Sequence, residues 1–201
     1  VLLNEWIGRS LLSLALAFLA VVVGDNNQAS STQLNLLDLT GRRIEPFQTK
    51  DAKAIVFIFI RTDCPISNRY APEVERLYKK FVARGIHFWL VYPDPDESTE
   101  AIGRHLKEYN YHPGALRDPQ HTLVKMTNVQ VTPEAAVFVP DGEGKRMIYR
   151  GRIDDRYVAF GRARPAPTRR ELEQVLEAIV AGKTVSPRTT TAIGCFIPEL
   201  R

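Results

Sequence analysis

Seven consecutive apolar residues, Ala54-Ile55-Val56-Phe57-Ile58-Phe59-Ile60, run without a polar break into Arg61-Thr62-Asp63-Cys64-Pro65-Ile66-Ser67. A strand that lacks alternation must be covered on both faces, so this run predicts a central strand of an α/β sheet with helices on both sides. The pattern then changes period. Val74, Leu77, Tyr78 and Phe81 form one apolar stripe, which predicts a helix from about Ser67 to Arg84. Pro72 lies inside it, removing one helical hydrogen bond and predicting a kink. Gly85 stops the helix, and Ile86 to Tyr92 is a second buried strand. Strand, helix and strand of these lengths make a parallel, right-handed crossover.

The flanking elements are marked more weakly. Gln33 to Phe47 reads as an edge hairpin, with Leu34, Leu36 and Leu39 before a turn at Asp38 to Arg42 and Ile44 after it. Ser98 is placed to cap a helix carrying Ala101, Ile102, Leu106 and Tyr109. Asp118-Pro119 reads as the cap and first residue of a short helix through Leu123, Val124 and Met126. Glu134 to Val139 and Arg146 to Arg150 are strands joined at Asp141-Gly142. Thr168 and Glu171 predict a capping box for a last helix striped with Leu172, Val175, Leu176, Ile179 and Val180 and ended by Gly182.

Length and composition bound this plan. With 201 residues, 44% of them hydrophobic, the chain suffices for one globular domain and its extensions. The net charge of +4 is spread without long blocks. Arg152, Arg156, Arg162, Arg164, Arg169 and Arg170 thicken the charge locally, but no aromatic interleaving accompanies them. They read as a solvated rim, and no nucleic-acid partner is expected. Residues 1–24 hold the apolar run Leu11 to Val23 behind Arg9, the pattern of an export signal, or of a membrane anchor if uncleaved. The expected location is therefore periplasmic or extracellular, with membrane contact only through a retained anchor. In an oxidising compartment two cysteines are read as a disulfide or as a catalytic thiol with a distant partner.

Cys64 stands where the central strand hands over to a helix. Unpaired backbone N–H groups and the helix dipole stabilise a thiolate there, so the expectation is a Cys64 of lowered pKa, open to small alkylating probes. The late Thr132-Pro133 precedes the fourth strand. Cys64 after the central strand, Pro72 in the following helix and Thr132-Pro133, in this order, carry a resemblance. From Gln33 to about Gly182 the chain resembles the redoxins, the thioredoxin-like group that includes the AhpC/TSA antioxidant proteins and exported TlpA-like oxidoreductases. The resemblance implies a thioredoxin-like α/β fold: a mixed central sheet flanked by helices, with an N-terminal hairpin and a helical insertion. Together with the export-type run, it divides the chain into residues 1–24, a domain over residues 33–182 and a tail over residues 183–201. It also implies a cis Pro133 beside the cysteine, with Pro133 shaping the groove and Thr132 hydrogen-bonding a substrate backbone.

The departures from the family pattern redirect the chemistry. The usual Cys-x-x-Cys dithiol is replaced by Cys64-Pro65-Ile66-Ser67, and Ser67 cannot resolve a mixed disulfide. It either donates to the thiolate or caps the helix, and capping is preferred. Cys195, in Ile193-Gly194-Cys195-Phe196-Ile197, is the one resolving candidate within the chain. The pair is structural or catalytic. Peroxiredoxins carry Pro-x-x-x-Thr/Ser-x-x-Cys, and here Phe57 and Arg61 stand in place of the Pro and Thr, with Thr62 one residue out of register. Arg61 or Arg69 would lower the Cys64 pKa by charge, and Arg61 is a candidate substrate contact.

His87, His105, His112 and His121 lack metal-ligand spacing, and Asp154 and Asp155 read as a salt-bridged turn. No metal or other cofactor is expected. The leading expectation is an exported thiol–disulfide oxidoreductase acting on protein or small-molecule thiols and disulfides. A thiol peroxidase acting on peroxides and a non-catalytic binding domain with a permanent bridge are the alternatives.

Overall fold

A computed structural model describes residues 34–200 apart from residues 50, 143 and 187. The expected export segment lies outside the described residues. No helix among the described residues is long and apolar enough to cross a membrane.

The chain builds a seven-stranded mixed sheet in the order β2-β1-β5-β4-β3-β7-β8. These strands are β1 (Leu36–Leu37), β2 (Arg43–Ile44), β3 (Ala54–Phe59), β4 (Ile86–Tyr92), β5 (Gly114–Arg117), β7 (Glu134–Asp141) and β8 (Gly144–Gly151). All six residues of β3 are buried, as an apolar run without alternation requires. Its parallel partner β4 aligns Ala54 with Ile86 and Phe59 with Val91. On its other side β7 runs antiparallel, with Phe59 opposite Glu134. The hairpin β1-β2 forms the far edge and joins the sheet through Leu37 opposite Arg117 of β5.

The faces are covered unequally. Helices α1 (Pro65–Phe81), α2 (Thr99–Glu108) and α4 (Glu171–Val180) share one core with Val56, Ile58, Leu90 and Tyr92. The opposite core, around Ile55, Phe57, Phe59 and Val91, is closed by the short α3 (Thr122–Thr127) and by residues 34–52, with Phe47 stacked edge-on to Phe57 and Phe138. Helices therefore lie on both sides of the sheet, α1, α2 and α4 on one face and the short α3, beside mostly non-helical chain, on the other. Helix α1 runs through Pro72 and ends in a 3₁₀ turn at Val82–Arg84. Arg76, which binds both Glu73 and Glu173, ties α1 to α4.

Two caps differ from expectation, each because a carboxylate takes amides near the helix start: Asp155, from another loop, at α4, and Asp118, four residues ahead of Thr122, at α3. The α4 cap is Arg170, with no side-chain bond. Asp155 accepts from the Thr168 and Arg169 amides at 2.7 and 2.9 Å, and takes the Thr168 hydroxyl that the capping box needed. Helix α3 starts at Thr122, not Pro119, and the Asp118 carboxylate accepts from the amides of Thr122, Leu123 and Val124.

Two short ribbons complete the described residues. Strands β9 (Tyr157–Ala159) and β10 (Arg162–Ala163) form a hairpin, and β6 (Val131–Thr132) pairs with β11 (Cys195–Phe196). The core sheet with its α2-β5 insertion is the thioredoxin-like fold.

Candidate active site

Cys64 is the N-cap of α1, with extended backbone (φ −85°, ψ 108°) and Pro65 following as the first helical residue. Its sulfur accepts from the Ser67 amide at 3.5 Å, and as a thiol it donates to the Thr132 carbonyl at 3.1 Å. The loop that carries it is held on two sides. The Thr62 amide donates to Glu97 at 2.6 Å, and Asn68 donates to the Thr62 carbonyl at 3.0 Å. Asn68 in turn pairs with His105, 2.8 Å away. None of these supports is visible in sequence, because Glu97 and His105 are more than 30 residues from their partners and belong to no local pattern.

The Thr132–Pro133 peptide is cis, as the resemblance implies. Beside it the C-terminal segment lies as a strand: Cys195 is opposite Thr132 and Phe196 opposite Val131, antiparallel. The Ile197 amide donates to the Gln130 carbonyl at 3.2 Å, and Arg61 reaches the Phe196 carbonyl at 3.4 Å. Further back, Thr190 is fastened to the sheet edge. Its amide donates to the Arg150 carbonyl at 3.1 Å, and its hydroxyl meets the Tyr149 hydroxyl at 2.8 Å. The approach of the tail to β6 needs a glycine: a Cβ on Gly194 would lie 2.2 Å from the Thr132 carbonyl oxygen.

This packing brings Cys64 and Cys195 together as free thiols, each perturbing the other's titration. For Cys64, burial pushes the pKa up, but the Cys195 thiol, the Ser67 hydroxyl and amide and Thr132 favour the anion, and the net shift is downward. For Cys195, burial and then the neighbouring Cys64 push the thiol up to about 12. The pair is asymmetric: Cys64 gives up its proton before Cys195 does.

Several sequence expectations need correction. Cys64 is 1% exposed, because the tail roofs it, so a small alkylating probe reaches it only after the tail moves. Ser67 is inside α1 and does not cap; the cysteine does, while the Ser67 hydroxyl is buried without a hydrogen-bond partner and free to donate to a thiolate. Arg61 faces the tail: its guanidinium pairs with Asp63 at 3.0 Å and Asp94 at 2.9 Å, and its charge favours the anion of Cys195. Asp154 is not part of a surface ion-paired turn. It is buried, and it accepts from Tyr70 at 2.5 Å. Asp155 does pair with Arg164.

The histidines are hydrogen-bonded or exposed: His105 to Tyr92 and Asn68, His112 to Glu75, His121 to the Pro93 carbonyl. Among the described residues, no three His, Cys, Asp or Glu side chains cluster closely enough to hold a metal ion. Next to the start of α1, Pro65, Ile66, Arg69, Tyr157 and the exposed Phe160 line a small cleft.

Comparison with known proteins fits this geometry. The model of the AhpC/TSA family matches residues 26–146. A hypothetical protein from Sinorhizobium meliloti 1021 is similar in structure at 24% identity, covering 81% of this chain and 88% of that one, with a TM-score of 0.68. An uncharacterised conserved protein from Geobacillus kaustophilus is similar at 22% identity, with coverage of 83% and 88% and a TM-score of 0.69. No curated protein sequence matches the chain.

Proposed function

This chain belongs to the AhpC/TSA family and is a thioredoxin-like redoxin, and from that premise we propose that it is a thiol–disulfide oxidoreductase with Cys64 as nucleophile and Cys195 as resolving thiol. The observation that carries the reading is the register of β11 on β6, which sets Cys195 opposite Thr132, the residue whose carbonyl binds the Cys64 sulfur. Thr132 and Pro133 form the groove, Ser67 donates to the thiolate, and Arg61 steadies the strand that lies there. The Cys64 thiolate attacks one sulfur of a substrate disulfide, forming a mixed disulfide and expelling the other sulfur as a thiolate that takes up a proton.

Once the Cys64 sulfur is bonded, its negative charge is gone and with it part of what holds Cys195 protonated. Cys195 then loses its proton to solvent and attacks Cys64, forming the Cys64–Cys195 disulfide and releasing the second substrate thiol. An external dithiol reductant reopens the bridge. The apolar leader supports a site of action outside the cytosol, where such exchange is thermodynamically accessible.

The test is reaction of the reduced protein with 5,5′-dithiobis(2-nitrobenzoate). Wild type should release two nitrothiobenzoate equivalents and end as an internal disulfide. Cys195→Ser should stop at one equivalent, with the adduct on Cys64. A Cys64→Ser protein as fast as wild type overturns the assignment, and an internal bridge that resists mild dithiol reductant makes the pair structural.

A further inference from the structure

The segment lying in the groove is itself a polypeptide with a cysteine, and its contacts show what the groove accepts. Cys195 sits opposite Thr132. Ahead of it, Gly194 passes the Thr132–Pro133 backbone so closely that a Cβ would meet the Thr132 oxygen at 2.2 Å, its carbonyl carbon at 2.6 Å and Pro133 N at 3.2 Å. These are main-chain atoms of a buried strand, which cannot swing aside as a flexible side chain would. Behind the cysteine, Phe196 is 80% exposed, so its side chain is not selected. Ile193 and Ile197, two residues to either side, pack against the two cores. The site thus has a seat for apolar, glycine, cysteine, any residue, apolar.

Resting on the oxidoreductase reading, we infer that the tail occupies the seat of the substrate: the groove takes an extended protein segment with glycine immediately before its reacting cysteine, and tail and substrate exclude one another. The Thr132 carbonyl is the filter. Substrate pairs with β6 only when β11 has lifted, and Cys195 reaches the Cys64–substrate disulfide only by laying β11 back on β6. That return removes the substrate strand from its hydrogen bonds in the same movement that breaks its disulfide, so resolution and product release are one event. Electrons pass from the two protein thiols to the substrate disulfide, and nothing else is consumed.

The experiment uses full-length Cys195→Ser, whose Cys64 forms one stable adduct, with two acetylated and amidated pentapeptides, Ile-Gly-Cys-Phe-Ile and Ile-Ala-Cys-Phe-Ile, each carrying nitrothiobenzoate on its cysteine. Release of the chromophore should be at least tenfold faster from the glycine peptide. A second variant, Gly194→Ala in the Cys195→Ser chain, weakens the tail's hold and should speed reaction with the glycine peptide while keeping the preference for it. Equal rates for the two peptides overturn the inference, as does a Gly194→Ala chain no faster than its parent. The free reagent separates the two levels: a Cys64 that reacts with 5,5′-dithiobis(2-nitrobenzoate) but with neither peptide refutes the groove assignment alone, whereas a Cys64 inert to all three refutes the oxidoreductase reading as well.

Discussion

Oxidising Cys64 and Cys195 to a disulfide should raise the thermal midpoint of this protein by roughly 10–15 °C, a size that follows from where the two residues lie in the chain. The tail is already paired with β6 and with the β8 edge while both thiols are free, so the bond adds little order to the folded state. Its effect falls on the unfolded chain. There it closes a loop of about 130 residues, which in the chain-entropy treatment removes about 17 cal/mol/K, or about 5 kcal/mol at room temperature. A folded body of about 170 residues unfolds with an entropy of about 0.35 kcal/mol/K, so 5 kcal/mol corresponds to about 14 °C. Circular dichroism melts of the oxidised and dithiol-reduced protein give the shift directly. Cys195→Ser, measured under both conditions, supplies the control. A shift below about 3 °C, or an equal shift in the control, would refute the reasoning, by showing that the bridge does not close the long loop or that reductant acts elsewhere.

Two further outcomes follow from the titrating groups. Alkylation of Cys64 in reduced protein should rise with pH at a midpoint below that of a free thiol, and Cys195→Ala should move the midpoint upward because burial is then opposed only by the weaker contributions of Ser67 and Thr132. Iodoacetamide rates against pH, read by mass spectrometry, check this, and identical midpoints would count against it. His105 is held neutral by burial, with a pKa lowered to about 4. Unfolded histidine titrates near 6.5 and so binds the extra proton first, which means stability is complete above pH 6.5 and falls by up to about 3 kcal/mol as the pH drops to 4. Urea titrations across that range should show the slope in wild type and a flatter one in His105→Gln.

The fold was legible in the sequence wherever one segment carries its own cause. The unalternating run at 54–60 announces a strand covered twice, and α1 and β4 follow from period and from Gly85. Strand β5, Gly-Ala-Leu-Arg, has too few residues to show a period and is a strand only because β4 offers it an edge. The same holds for the two-residue β6 and β11, whose pairing is decided by distant chain. Capping failed as a local rule at Thr168 because Asp155 takes its amide and hydroxyl while Glu171 pairs with Arg152. In the site, Cys64 and Pro133 could be placed from order along the chain, and Cys195 could be named as a candidate. The burial of Cys64 could not be foreseen, since its roof is a segment that arrives from the other end of the domain.

The anchorage of Thr190 on Arg150 bears on kinetics. With that point pinned, an end carrying Cys195 is leashed by five residues, a reach of roughly 17 Å at full stretch. Confinement on that scale corresponds to an effective concentration of millimolar or more. On the proposed exchange, a stray thiol at roughly micromolar concentration would therefore lose the race for the Cys64 adduct, and the leash, more than any inherent vigour of the second sulfur, would keep adducts short-lived.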